Sequence, residues 1–228
     1  MMSYWVLFIG IAVVSWLVQM NLQNKFKKYS KIPTGNGMTG RDVALKMLHD
    51  NGIYDVQVTH TPGRLTDHYN PTNKTVNLSE GVYESNSIMA AAVAAHECGH
   101  AVQHARMYAP LKMRSALVPV VNFASSIMTW VLLGGILLIN SFPQLLLAGI
   151  ILFAMTTLFS FITLPVEINA SKRALVWLSS SGITNSYNHA QAEDALRSAA
   201  YTYVVAALGS LATLVYYCLL YTSPSPRD

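Results

Sequence analysis

Two histidines four residues apart, with a glutamate beside the first, form the part of this sequence best suited to chemistry. They stand in the segment His96-Glu97-Cys98-Gly99-His100. Residues four apart on an α-helix share one face, so His96 and His100 can offer imidazole nitrogens to the same metal ion. Glu97 is adjacent to the pair and suits a general base for water activated by that metal. The pattern predicts a catalytic metal site.

A third ligand must come from elsewhere, because a catalytic zinc site usually takes three protein ligands and keeps one position open. Glu167 is the best candidate, since it follows an apolar run where an ionisable group is costly unless paired or bound to a cation. An interfacial glutamate paired with Lys172 or Arg173 is the alternative. The candidates ranked below Glu167 are Glu80, Glu84, Glu193, Asp194, His68 and His189.

His104 repeats the four-residue spacing after His100. A straight helix carries it a further turn away, so it cannot close a compact tetrahedron with the other two histidines. We expect it to lie behind the ligands as a polar residue. A metzincin site needs Gly and His three and six residues after the second motif histidine, and Gln103 and Arg106 stand there, which excludes that class.

The composition indicates an integral membrane protein. Of the 228 residues, 52% are hydrophobic and only 11% are charged, against roughly 25% charged in soluble domains. Four apolar runs approach the 20 or so residues that cross a bilayer: 4–21, 117–139, 144–166 and 202–221. No positive charge precedes the first run and no small-residue cleavage site follows it, which favours a membrane anchor over a signal peptide.

The positive charges predict the orientation of the chain. Eleven of the 15 Lys and Arg residues lie between Lys25 and Arg114. The positive-inside rule therefore places the hydrophilic regions 25–115 and 167–200 in the cytoplasm, with both termini outside. Two spans separate the histidine pair from Glu167, so both lie on one side. This bias also explains the net charge of +4, and no nucleic-acid partner is expected; the tail, 222–228, is expected to be disordered.

Local signals predict the elements around the motif. Thr39 and Asp42 form a weak capping box at the start of a helix, and Ser85, Asn86 or Ser87 can cap the helix that carries the motif. The run 88–95 is rich in small residues and too short to span a membrane, which predicts a buried helix. Cys98 is expected to pack in the core, and Cys218 lies inside a span, so no disulfide is expected.

Four stretches of the sequence, one of them containing the motif, carry a resemblance to a known family: 66–71, 76–79, 94–103 and 164–167. In combination they resemble the YugP-like membrane zinc metallopeptidases of prokaryotes and, more distantly, the HtpX and CAAX-prenyl type membrane peptidases, over residues 38–207. The resemblance implies a gluzincin site in which His96, His100 and Glu167 hold one Zn²⁺ per chain and Glu97 is the base. It implies a mainly α integral membrane protein with four transmembrane helices and a cytoplasmic α+β zincin-like metallopeptidase domain.

Two positions depart from those patterns. The YugP-like pattern commonly has Asp two residues after the ligand glutamate, and Asn169 stands there. The HtpX type has Asp four residues after it to orient a zinc histidine, and Ser171 stands there. A hydroxyl accepts a hydrogen bond from imidazole more weakly than a carboxylate does. A lost partner of this kind costs 10–100-fold in metal affinity or activity, so Asn169, Ser171 and His104 are expected to tune the site.

The implied activity is hydrolysis of peptide bonds in a peptide or protein substrate at the lipid bilayer. Substrate is expected to add to the strand edge formed by Lys74, Val76, Asn77 and Leu78. Candidate donors to the developing oxyanion are His68, Tyr69 and Tyr203. The alternatives are a catalytically inactive membrane scaffold or partner-binding protein with a structural metal, and a zinc hydrolase of a non-peptide substrate such as a lipid amide.

Overall fold

The computed structural model describes residues 2–222, so all but the first residue of the expected tail 222–228 lies outside the described residues. The chain is mostly helical, with one small sheet. In order, the elements are α1 (Met2–Tyr29), α2 (Gly40–Asp50), β1 (Gln57–Thr61), β2 (His68–Asn70), β3 (Thr75–Ser79), α3 (Glu80–Tyr83), α4 (Ile88–Ala105), α5 (Ala109–Leu137), α6 (Pro143–Ser180) and α7 (His189–Thr222).

Within the described residues, four helices are long and apolar enough to cross a membrane: Trp5–Tyr29, Ala109–Leu137, Pro143–Ser180 and His189–Thr222. This confirms the four candidate spans expected from the sequence. Large apolar side chains on these helices are exposed, Trp130 by 73%, for example. Exposed apolar surface of this kind suits contact with lipid.

The chain divides into two compact units. The first contains Met113–Leu164 together with the chain up to Leu17 and from Tyr203 onward. Within it α5 and α6 form a tight hairpin, because a Cβ on Gly135 would lie 2.5 Å from the Cα of Leu146. Thr157 and Ser210 exchange a hydrogen bond of 2.6 Å between α6 and α7.

The second unit contains Val18–Lys112 and Pro165–Thr202. The capping box of α2 is confirmed: the Thr39 hydroxyl accepts from the backbone N–H of Asp42, and the Asp42 carboxylate accepts from the backbone N–H of Thr39. The apolar face of α2 packs into the core with α4, where Val43, Ala44 and Leu48 are fully buried.

The sheet has the order β1-β3-β2, with β1 parallel and β2 antiparallel to β3. Alternation along β3 buries Val76 and Leu78 and leaves Asn77 on the outer face. Tyr69 of β2 pairs with Val76, whereas His68 pairs with Asn77. Tyr69 therefore lies on the core side of the sheet and His68 on the outer side.

β3 is the central strand of the sheet, so it is not the open edge at which substrate was expected to add. An added strand needs unpaired backbone groups, but Thr75–Asn77 pair with β1 on one side and with β2 on the other. The backbone on both sides of Val76 and Asn77 is therefore already paired. Leu78 pairs with His60 of β1, and Lys74 directly precedes the strand. Periodicity had indicated the strand, but strand order depends on long-range pairing that periodicity does not encode.

α6 is one continuous helix, Pro143–Ser180. Its 38 residues extend about 57 Å at 1.5 Å per residue, nearly twice the roughly 30 Å of a bilayer core. The sequence predicted that the membrane span ends at residue 166, and the helix itself continues through Pro165 to Ser180. Glu167 therefore lies on the same helix as the apolar run before it.

Candidate metal centre

The histidine pair lies near the end of a buried helix. The Ser87 hydroxyl caps α4 by accepting from the backbone N–H of Ala90 at 3.2 Å. The alanines of the run before the motif are fully buried, which confirms the buried helix expected from their small size. His96 and His100 meet edge to face one turn apart, with ring centroids 4.9 Å apart.

The two residues between Glu97 and His100 fix the motif against its neighbouring helices. Cys98 is fully buried and its thiol contacts the backbone carbonyl of Ala44 on α2. Burial raises the pKa of this thiol well above its ordinary value, so Cys98 remains a protonated packing residue, as expected. On the other side, a Cβ on Gly99 would lie 2.7 Å from the carbonyl oxygen of Ala170. Only glycine allows α4 and α6 to approach this closely.

This approach brings Glu167 to the histidine pair. The Glu167 Oε2 atom lies 3.3 Å from His96 Nε2 and 3.5 Å from His100 Nε2. The three ligand atoms lie within 4.8 Å of one another, and the Glu167 side chain is only 4% exposed. His96, His100 and Glu167 are the group within the described residues that could hold a metal ion.

The spacing of these atoms fits zinc. Bonds of about 2.0–2.1 Å at tetrahedral angles place neighbouring ligand atoms roughly 3.3–3.4 Å apart. The two distances from Glu167 to the imidazole nitrogens agree with that value. Two imidazoles and a carboxylate are also a donor set that zinc prefers.

A buried glutamine determines which nitrogen of His100 is available. Gln103 is fully buried and donates from Nε2 to the carbonyl of Val166 at 2.8 Å. Its Oε1 atom therefore faces His100 Nδ1, at 3.1 Å. An amide oxygen only accepts, so Nδ1 carries the proton, and the lone pair of Nε2 is directed at the Glu167 carboxylate. Two acceptors facing each other in a buried site repel unless a proton or a metal cation lies between them.

The electrostatics of His100 point the same way. Burial lowers the pKa of His100, but the hydrogen bond with Glu167 and the charges of Glu97 and Glu167 raise it more, and the net direction is upward. The surroundings of His100 thus favour a positive charge. A metal cation meets this preference while leaving the imidazole neutral.

His96 has a less selective partner. Its Nδ1 atom lies 3.0 Å from the hydroxyl of Ser171, the position at which the sequence predicted an orienting group. A hydroxyl can donate or accept, so it does not by itself fix the proton of His96. The Oδ1 atom of Asn169 accepts from Gln103 Nε2 at 3.0 Å and from Arg173 Nε at 2.8 Å.

His104 and His68 hydrogen-bond to partners outside the three-residue group. His104 is exposed, and its Nδ1 forms a 2.8 Å hydrogen bond with the Tyr69 hydroxyl. His68 lies on the outer face of the sheet, where its Nδ1 contacts the carbonyl of Thr66. Tyr203 belongs to the first unit. Among the lower-ranked ligands, Asp194 accepts instead from Lys25 and Tyr29, each at 2.6 Å.

The tight contact at Gly99 leads to a first prediction. In Gly99→Ala the new methyl group meets Ala170, so α4 and α6 must separate, and we expect Glu167 to withdraw from the histidines. Overpacking of this kind costs about 1–3 kcal/mol, and we expect zinc affinity to fall at least about tenfold. Zinc titration against a competing chelator measures it.

Gly10→Ala is the matched control, since nothing lies within 4 Å of a Cβ at that helical position. We expect it to leave zinc affinity unchanged. Equal zinc affinity in Gly99→Ala and wild type would contradict the proposed dependence of the centre on this helix contact.

The comparisons with known proteins agree with this geometry. The profile of the family described as "Putative neutral zinc metallopeptidase" matches residues 4–222, and the chain belongs to this family of zinc-dependent hydrolases. A relative from Bacillus subtilis (strain 168), "Putative membrane protease YugP", is 43% identical over 217 residues, which cover 94% of this chain and 96% of the relative. No solved structure matches the chain significantly. The relative and the four apolar helices together support a multi-pass membrane protein.

Proposed function

We propose that this protein is a membrane-embedded, zinc-dependent endopeptidase of the gluzincin type. In this proposal His96, His100 and Glu167 hold one zinc ion, and Glu97 of the His-Glu-x-x-His motif is the general base. The observation that carries the proposal is the convergence of Glu167 Oε2 on both imidazole Nε2 atoms, at 3.3 and 3.5 Å. Family membership supports zinc as the metal.

The burial of Glu97 and its place beside His96 support it as the base. It is 9% exposed, it adjoins His96, and its charge acts on His100. Bound zinc supplies Lewis acidity, which lowers the pKa of water and polarises a carbonyl. Glu97 accepts a proton from water as the water oxygen attacks the carbonyl carbon of the scissile peptide bond. It then passes that proton to the amide nitrogen as the C–N bond breaks, which gives a carboxylic acid and an amine; proton transfer between these products leaves a carboxylate and an ammonium group.

Tyr69 is our proposed oxyanion donor. It lies on the sheet face that packs toward α4, and its hydroxyl meets His104, one turn beyond His100. Burial and the charge of Asp55 raise the pKa of Tyr69, so its hydroxyl keeps the proton it must donate. When His104 Nδ1 donates to the Tyr69 oxygen, the phenolic O–H is left to bind the developing oxyanion.

The outer edge of β2 takes the place of β3 as the proposed substrate edge. β2 ends the sheet on one side, and Tyr69 connects it to the C-terminal end of α4 through His104. A peptide in extended conformation can add its backbone hydrogen bonds to such an edge. This arrangement would align the substrate along the strand that carries the proposed oxyanion donor.

The orientation in the membrane is also a proposal. The second unit contains ten of the eleven positive residues from Lys25 to Arg114, all but Arg114 itself, and it also contains Lys172, Arg173 and Arg197. The positive-inside rule favours a cytoplasmic location for this unit, with both termini outside and with 25–115 and 167–200 as its two segments. The proposed active site therefore faces the cytoplasm.

Metal removal tests the proposed function. We expect the purified protein to cleave casein or a peptide library, to lose this activity with an excess of a zinc chelator, and to regain it with one equivalent of zinc per chain. Cleavage that persists in fully chelated protein, with zinc loss verified by elemental analysis, would contradict a zinc peptidase.

A further inference from the structure

Three polar side chains behind His100 form a continuous hydrogen-bonded chain. Arg173 Nε donates to Asn169 Oδ1 at 2.8 Å, Gln103 Nε2 donates to the same oxygen at 3.0 Å, and Gln103 Oε1 faces His100 Nδ1 at 3.1 Å. Gln103 connects α4 to α6 through this chain and through the carbonyl of Val166. Its side chain is completely buried.

The direction of each hydrogen bond follows from groups that can play only one role. The guanidinium of Arg173 only donates, so the atom of Asn169 that faces it is the oxygen. The backbone carbonyl of Val166 only accepts, so the atom of Gln103 that faces it is the nitrogen. Both ends therefore orient the Gln103 amide in the same sense and leave its oxygen for His100.

We infer that Gln103 is a positioning residue that holds His100 as the Nδ1-protonated tautomer, and that Asn169 and Arg173 hold Gln103 in the orientation this requires. The inference rests on the proposed zinc site. It assigns a role to a residue that the sequence had shown only as a departure from the metzincin pattern. His100 then always presents the Nε2 lone pair to the metal.

This series of hydrogen bonds also explains why asparagine suffices at position 169. The network needs one acceptor oxygen there, shared by Gln103 and Arg173. An amide oxygen and a carboxylate oxygen both meet this need. Asparagine in place of the Asp common in the resembling proteins therefore leaves the orientation of His100 intact.

The test compares zinc-loaded variants. Gln103→Met keeps the volume and removes both polar atoms, and we expect zinc affinity to fall 10–100-fold. We also expect the Nδ1–H proton of His100, which is protected from solvent exchange in wild type, to lose that protection in NMR spectra of protein labelled at histidine. Gln191→Met is the control, a partly buried glutamine of the same unit whose Oε1 has no hydrogen-bond partner among the described residues.

A second pair of variants keeps the test valid if Gln103→Met does not fold. Asn169→Leu removes the shared acceptor and is expected to weaken zinc binding, whereas Asn169→Asp keeps an acceptor and is expected to restore it to within about threefold of wild type. Zinc affinity and Nδ1–H protection that are unchanged in Gln103→Met or in Asn169→Leu would overturn the inference. Because neither readout uses substrate, a lack of peptidase activity would refute the proposed function without deciding this inference.

Discussion

Glu97→Gln is expected to bind zinc as wild type does and to lose nearly all peptidase activity. The amide keeps the size of the side chain but cannot accept a proton from water. General-base catalysis contributes typically 10²–10⁴-fold, so we expect kcat to fall by about that factor while KM changes little. Steady-state cleavage of a fluorogenic peptide, with zinc content measured on the same samples, gives both values.

Glu84→Gln is the control for this loss of charge, since Glu84 is an exposed carboxylate beyond α3. We expect its activity and zinc content to match those of wild type. If Glu97→Gln cleaves peptides as fast as wild type, Glu97 is not the base. If it cleaves slowly only because zinc is missing, its assigned role is likewise wrong.

Glu167→Gln is expected to lose zinc. The amide conserves shape but replaces an anionic oxygen ligand with a neutral one, and the two histidines alone make an incomplete site. Structural zinc sites with four ligands are worth about 10–16 kcal/mol, or roughly 3 kcal/mol per ligand, so we expect affinity to fall on the order of 100-fold or more. Competition with a chromogenic chelator measures this loss directly.

Glu193→Gln is the matched control, since Glu193 is an exposed carboxylate on α7 that the sequence offered as a lower-ranked ligand. We expect it to bind zinc with wild-type affinity. Unchanged affinity in Glu167→Gln, with loss of affinity in Glu193→Gln, would show that the third ligand had been assigned to the wrong carboxylate.

The local parts of the site could be predicted from the sequence. The 3.6-residue period of a helix by itself brings His96 and His100 to one face, and the small residues before them indicate burial. Glu167 could be proposed because a charge at the end of an apolar run is costly. These arguments need only neighbouring residues or the count of membrane spans.

The parts that depend on long-range packing could not be predicted. Nothing in the periodicity shows that Gly99 meets Ala170, or that Gln103 reaches Val166 and Asn169 across a helix interface. Gln103 stands three positions after His100 on the buried side of the helix, and a polar residue there suggests a hydrogen-bonding role. Without knowing its partners, the sequence could not show what that role is. β2 is only three residues long, too short for a reliable alternation.

The position of zinc in crystals of the purified protein tests the central claim most directly. Anomalous diffraction at the zinc absorption edge is expected to give one peak per chain, with His96 Nε2, His100 Nε2 and a Glu167 carboxylate oxygen within about 2.2 Å. A peak at other side chains, or a fourth protein ligand in place of an open position, would contradict the proposed catalytic site.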